Sequence, residues 1–235
     1  MSNRRWNIRA IIFDFDGLIL DTEVPIFQSW QELYQSYGAS LSLSNWVKII
    51  GTAEAEGDHF EDLEEQIGRT LDRDSLSPER RKRELELIAY QSVRAGVKDY
   101  LKDAQRLDLK IGLASSSSCL WVTGHLVDLG LIHYFECIRA SDDVRKVKPD
   151  PELYLSVLEA LNVQPGEAVA IEDSPNGVTA AKSAGAYCVA VPNKMTSQLP
   201  LDHADLRLNS LIDIPLPALL NLLEGGQGDS LERRH

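Results

Sequence analysis

Hydrophobic residues along the chain follow two periods. Five short runs are almost continuously apolar: 9–14 (RAIIFD), 110–114 (KIGLA), 136–140 (ECIRA), 168–172 (AVAIE) and 187–191 (YCVAV). Runs this short, rich in Ile, Val and Ala, predict strands buried on both faces, as in a parallel sheet. Between the later runs, apolar residues recur every three or four positions, the helical period. Val97, Leu101, Ala104 and Leu107 predict a helix over 97–107, and a second spans 119–129 and closes at Gly130. Asp150-Pro151 reads as an N-cap followed by proline at the first helical position, with Leu153, Tyr154, Val157, Leu158 and Leu161 as the apolar stripe. A small-residue helix over 175–184 closes at Gly185. Strands and helices in alternation predict an α/β fold, a parallel sheet with helices on both faces.

The interval between the first strand and the second breaks this rhythm. It runs to about 95 residues, far more than one crossover needs. Helical patterns fall near 24–37 (Ile26, Phe27, Trp30, Leu33, Tyr34, Tyr37, then Gly38), 44–50, 58–67 and 77–93. The last has Ser77 as N-cap and Pro78 at the first helical position. No strand pattern occurs there, so the interval is expected to be an all-helical insert, hung where it makes a natural lid. The domain boundaries expected are a core of 1–20 and 96–224, an insert of 21–95, and a polar tail, 225–235, that is expected to be disordered. Within the insert, the basic run Arg80-Arg81-Lys82-Arg83 is expected to be a solvated helix face paired with Glu79, Glu84 and Glu86.

Composition narrows the function classes. The 235 residues carry a formal net charge of -12, which disfavours nonspecific binding to nucleic acid or to anionic membrane. No apolar run approaches the roughly 20 residues that span a bilayer. The opening MSNRRWNIRA has no signal-peptide core, and the three cysteines, Cys119, Cys137 and Cys188, show neither metal-ligand nor redox spacing. They are expected to be small core residues in a cytoplasmic protein that requires no protein partner.

The chemistry is concentrated where the strands end. The first runs straight into Asp14 and Asp16, one residue apart, and then Gly17, where the backbone must turn sharply. Like charges this close imply a bound cation or a proton held on one member. The second strand ends in Ser115-Ser116-Ser117-Ser118, hydroxyls and N–H groups at a helix start. Lys148 follows the third, between Val147 and Pro149, and the fourth ends in Glu172-Asp173-Ser174. Each motif alone fits an ordinary turn, cap or surface residue. Four strand ends on one sheet edge, however, assemble a set able to hold a hard divalent cation and a phosphoryl group.

In this combination the sequence resembles the haloacid dehalogenase superfamily, in its helical-capped phosphatase and phosphomutase branch. The motifs stand in order at DFDG, LASSS, KPDPE and IEDS, and the resemblance runs from the first strand to about Leu223. It implies a Rossmann-like parallel-sheet core with an inserted helical cap domain, and magnesium as cofactor. It makes Asp14 the nucleophile that becomes an aspartyl phosphate, and Asp16 the general acid and base. Ser115 and the N–H groups after it, including that of Ser116, would bind phosphoryl oxygens, and Lys148 would pair with phosphate and nucleophile. The metal would be held by Asp14, Asp173 and the Asp16 carbonyl, with Glu172 a ligand or the support of one. The dehalogenases that name the superfamily lack a second acid at the position of Asp16, so phosphoryl transfer is expected.

Two rivals remain at this level. A sugar phosphomutase like β-phosphoglucomutase needs cationic cap groups, yet this chain has Ile50, Glu54 and Ile26 where that family places basic residues and a histidine. A phosphoacceptor signalling module would be about half this length, without the insert. The substrate expected is a small sugar or polyol phosphate. Thr22 to Ile26, Glu54 and Glu56 are candidate contacts, with Asp58 on the same acidic side and His59 a surface or packing residue.

Overall fold

The computed structural model describes residues 6–46 and 57–225. Six parallel strands form one sheet in the order β3-β2-β1-β4-β5-β6. They are β1 (Ala10–Phe13), β2 (Lys110–Ala114), β3 (Cys137–Arg139), β4 (Ala168–Glu172), β5 (Tyr187–Ala190) and β6 (Leu206–Arg207). The first five lie where the apolar runs predict them; β6, two residues at the edge, has too little pattern to be read. Strand β1 lies between β2 and β4, with Phe13 level with both Leu113 and Ile171. The order therefore reverses beside β1, and such a reversal opens a crevice at the carboxyl ends of the strands.

The two-residue period of the strands sorts side chains onto two unlike faces. Ile11, Phe13, Ile111, Leu113, Val169, Ile171 and Val189 point to one, under α5 (Val97–Arg106), α6 (Cys119–Asp128) and α9 (Leu216–Gly225). Apart from Ile12, the other face is made of small residues, Ala10, Ala114, Ala168, Ala170, Cys188 and Ala190, under α7 (Glu152–Leu161) and α8 (Pro175–Ser183). Small residues let those helices approach closely. A Cβ on Gly112 would come within 2.5 Å of Val157 Cγ1 on α7.

Between β1 and α5 the described residues form helices and no strand: α1 (Glu23–Ser36), α2 (Leu43–Trp46), α3 (Gly57–Ile67) and α4 (Arg73–Ala89). They enclose a core of their own, Trp30, Tyr34, Leu41, Trp46, Phe60 and Leu63, which also takes in Met195 from beyond β5. His59 is buried there, stacked on Trp46 at 4.6 Å, so it is a packing residue. The chain leaves and re-enters the sheet domain side by side, joined by a Leu20–Val93 bridge and by Arg94 N–H to the Ile19 carbonyl at 2.9 Å.

Four expectations need correction. Helix α4 starts at Arg73, one turn before Ser77, because Asp72 accepts from Ser75 N–H at 3.3 Å and caps it there; Pro78 lies inside the helix. Arg80 is not solvated. It is buried against α1, bonded to Ser29 Oγ at 3.2 Å and Glu84 at 2.6 Å, with its guanidinium 4.5 Å over Trp30. The 80, 84, 88 spacing turns Arg80, Glu84 and Ile88 to one buried face, while Arg83 pairs with Glu32 and Glu86 as an exposed charge should. Cys119 is exposed at the start of α6, whereas Cys137 and Cys188 are buried. Asp150 receives Glu152 N–H at 3.1 Å, and α7 opens one residue later than expected, with Pro151 as N-cap. Residues 47–50 of the second expected helix, and the tail 226–235, lie outside the described residues.

Candidate active site

The crevice beside β1 is a cavity of about 820 Å³ between the strand ends and the helical insert. Asp14, Asp16, Ser115, Ser116, Lys148 and Asp173 line it from the sheet side, and Thr22, Glu23, Ile26 and Arg81 from the insert. Asp14 follows β1 by one residue and is anchored by its N–H to the Ile171 carbonyl at 3.0 Å. Gly17 turns the chain immediately afterwards at φ +78°; a Cβ there would stand 2.3 Å from Asp173 Oδ2.

Lys148 is the electrostatic centre. Its buried ammonium donates to Asp14 Oδ1 at 2.5 Å, Glu172 Oε1 at 2.6 Å and the Ala114 carbonyl at 2.8 Å. Burial opposes the ammonium charge, but Asp14 and Glu172 outweigh it and hold Lys148 above its ordinary range. Tyr154 donates to the same Glu172 oxygen at 2.5 Å. Burial, then the charges of Glu172 and Asp14, push its phenol well up, so it stays a neutral donor. Gly177, in the first turn of α8, leaves Glu172 its space: a Cβ would lie 1.9 Å from Glu172 Oε2.

Asp14, Glu172 and Asp173 are all buried and bring carboxylate oxygens within 4.8 Å of one another. Asp14 is pushed up to about 8, by burial above all and then by the charges of Glu172 and Asp16, against the opposing pull of Lys148. Asp173 is driven well above the carboxylate range by burial, then by Asp14 and Glu172. Asp14 and Glu172 share the one ammonium of Lys148 and Asp173 adds a third carboxylate beside them; with all three ionised, two negative charges are left over, which a divalent cation would cancel. Hard oxygen donors of this kind fit magnesium or calcium. Asp173 is aimed by Asn193 Nδ2 at 2.7 Å and more loosely by Thr196 Oγ1 at 3.4 Å.

Asp16 lies apart from that cluster by its carboxylate. Oδ1 accepts from Thr22 Oγ1 at 3.1 Å and Trp121 Nε1 at 2.9 Å; Oδ2 accepts from Ser117 Oγ at 2.6 Å and Ser115 Oγ at 3.4 Å. The structure thus brings together Asp14, Asp16, Thr22, Ser115, Ser116, Lys148, Glu172 and Asp173. Ile50, Glu54 and Glu56 lie outside the described residues, as does the side chain of Asp58. Sequence reasoning had Ser117 within the serine run and Glu23 within the 22–26 linker, but it gave no site role to Trp121 or Asn193, and read Tyr154 only as apolar stripe and Arg81 only as a solvated helix face. Asn193 could have been found, since it follows β5 at the same sheet edge as the other strand ends.

The model of the haloacid dehalogenase-like hydrolase family matches residues 11–191, which contain every one of these strand-end groups except Asn193. The chain belongs to that family. It is 50% identical over 216 residues to a Bacillus subtilis protein named "Putative phosphatase YhcW", covering 92% of this chain and 98% of that one. It is 36% identical over 180 residues to the phosphorylated carbohydrates phosphatase of Thermotoga maritima, covering 76% and 82%. The crystal structure of β-phosphoglucomutase from Clostridium difficile superposes with a TM-score of 0.73 at 25% identity, over 93% and 98% of the two chains. The protein is a phosphoric monoester hydrolase of the haloacid dehalogenase-like family. Among its described residues no helix is long and apolar enough to cross a membrane.

Proposed function

We propose that the protein is a magnesium-dependent phosphatase that hydrolyses a small sugar or polyol phosphate through an aspartyl phosphate on Asp14. One observation carries the reading: the buried Lys148 ammonium spans Asp14 and Glu172 at the floor of the cavity, with Asp16 two residues beyond Asp14. A carboxylate can attack an anionic phosphate only where cations cancel the repulsion. In this reading residues 1–20 and 96–224 form the catalytic core and 21–95 the cap. Asp14 attacks phosphorus while Asp16 gives a proton to the leaving alcohol. Asp16 then takes a proton from the water that hydrolyses the acyl phosphate. Ser115 and the Ser116 N–H hold phosphoryl oxygens, and Glu172 keeps Lys148 against the nucleophile. Asp14, Asp173 and the Asp16 carbonyl would hold magnesium, which supplies charge cancellation and Lewis acidity at the phosphoryl group.

Two observations support a hydroxylated leaving group. The similar Thermotoga protein is named for phosphorylated carbohydrates. In addition, Glu23 lines the cavity with its carboxyl pushed up to about 8 by burial and by the charges of Asp16, Asp21 and Glu84. A carboxyl that keeps its proton near neutrality both donates to and accepts from hydroxyl groups.

The test is acid-quench trapping during turnover of a sugar phosphate with magnesium. A phosphoryl group is expected on the peptide that carries Asp14, with none on Asp14→Asn and no turnover by that variant. Turnover retained by Asp14→Asn would overturn the reading. The likeness to β-phosphoglucomutase favours a second reading, a sugar phosphomutase. Ile26 lines the cavity at the position where the resemblance to the mutases leads one to expect a histidine, and an alkyl side chain can neither hold a second phosphate nor move a proton. Product analysis separates the two, inorganic phosphate against an isomeric sugar phosphate.

A further inference from the structure

The group that must exchange protons, Asp16, is held by four donors among the described residues. Three are hydroxyls, of Thr22, Ser115 and Ser117, and a hydroxyl can rotate to accept as readily as to donate. The fourth, Trp121 Nε1–H, can only donate. An oxygen that faces an indole N–H at 2.9 Å cannot carry its own proton in that direction. When Asp16 is protonated, an N–H bond is stronger to the carbonyl oxygen of the acid than to the oxygen that bears the proton, so the indole favours Oδ1 as the acceptor although Thr22 Oγ1 also faces it at 3.1 Å. The proton is left to Oδ2, beside Ser117 Oγ at 2.6 Å and on the side of the serines that line the cavity.

The ring that carries this N–H is itself held. Trp121 occupies the first turn of α6, its backbone N–H bonded to Ser118 Oγ at 3.3 Å. His125, one turn on, meets the indole edge to face at 4.4 Å, and stacks at 6.0 Å on Phe15, the residue between Asp14 and Asp16. From the helical insert, Arg81 lays its guanidinium 4.7 Å over the indole while bonded to Glu84. A cation over an indole face is attracted by the ring. The indole is thus clamped between core and insert, with its one polar hydrogen aimed at Asp16.

We propose that Trp121 is a positioning residue that sets the orientation of Asp16, so that the transferable proton resides on Oδ2. The proposal rests on the phosphatase reading, with Asp16 as acid and base.

The test is Trp121→Phe, which keeps an aromatic ring beneath Arg81 and removes the donor. The value of kcat/KM reports steps through departure of the leaving group, so it isolates the acid role of Asp16 from the later hydrolysis. An alkyl phosphate needs a proton on its leaving oxygen; p-nitrophenyl phosphate, which releases a stable phenolate, does not. Trp121→Phe is expected to lose about 10-fold in kcat/KM for glycerol 3-phosphate or another alkyl phosphate the enzyme turns over, and less than about 3-fold for p-nitrophenyl phosphate. Equal losses on both substrates would overturn the proposal, by assigning the indole to binding or packing. No loss on either would overturn it as well. In both cases inactive Asp14→Asn leaves the phosphatase reading standing, whereas an active Asp14→Asn removes that reading and the proposal together.

Discussion

Lys148 and Glu23 are two titratable residues that one fold has placed in opposite situations. Lys148 is buried with two carboxylates at 2.5 and 2.6 Å. Removing one partner of a buried ion pair costs about 3–5 kcal/mol, because the other charge stays without compensation. Lys148→Met, close in volume, is expected to lose about that much in urea denaturation and to abolish turnover. An unchanged midpoint would mean that Asp14 and Glu172 do not depend on the ammonium. Glu23 has no such partner among the described residues, and its carboxyl is pushed from an ordinary 4.5 to about 8. The folded chain then binds that proton more tightly than the unfolded chain, so ionisation costs stability as pH rises from about 4.5 to about 8. Glu23→Gln removes the cost. Its melting temperature relative to wild type is expected to climb through that window and level off above it, and a difference that falls with pH would contradict the assignment.

At the scale of elements, α4 shows how one helix sorts identical charges. Arg80 faces α1, bonded to Ser29 and Glu84 and stacked over Trp30, while Arg83 reaches exposed Glu32 and Glu86. Only the first is desolvated. Arg80→Met is expected to destabilise the protein by about 3 kcal/mol, the lower end for a broken buried pair because Arg81 still bonds Glu84. Arg83→Ala should leave the denaturation curve where it was, since exposed pairs contribute little. Similar curves for the two variants would show that the burial of Arg80 carries no energetic weight. The fourth strand and the helix after it show a different economy of space. Glu172 ends β4, and Gly177 in α8 is the residue that leaves room for its carboxylate.

For the whole molecule, the sheet edge gathers acid that the rest of the fold must tolerate. The formal net charge is -12, and three of the carboxylates that make it up, Asp14, Glu172 and Asp173, are buried together. Anything that binds the folded state alone stabilises it by mass action, about 2.7 kcal/mol at 100 times the dissociation constant. Magnesium at that excess is expected to raise the melting temperature of the wild type by several degrees. Asp173→Asn should lose most of that increment while remaining folded without metal, since the amide relieves repulsion. An equal increment in Asp173→Asn would place the cation elsewhere.

The sequence by itself determined the fold class and the class of enzyme, and for one physical reason. A parallel strand buried on both faces stays apolar until it reaches the edge where ligands bind, so Asp14, Ser115 and Glu172-Asp173 announce both the strand ends and their convergence. The helices described between β1 and α5 were equally legible from their period. Other features were legible in principle but not read: Leu216, Leu219, Leu220 and Leu223 have the helical spacing of α9, and Asn193 follows a strand end. What only the tertiary structure decided were the relations that no local period encodes. The strand order places β1 between β2 and β4, and burial makes Arg80 a core residue where its neighbours are solvated. The contact between Trp121 and Asp16 joins residues 105 apart in the chain. Periodicity tells which face of an element is apolar. Which polar group that face meets depends on how the elements pack, and the meeting of the Trp121 indole with the Asp16 carboxylate is settled there.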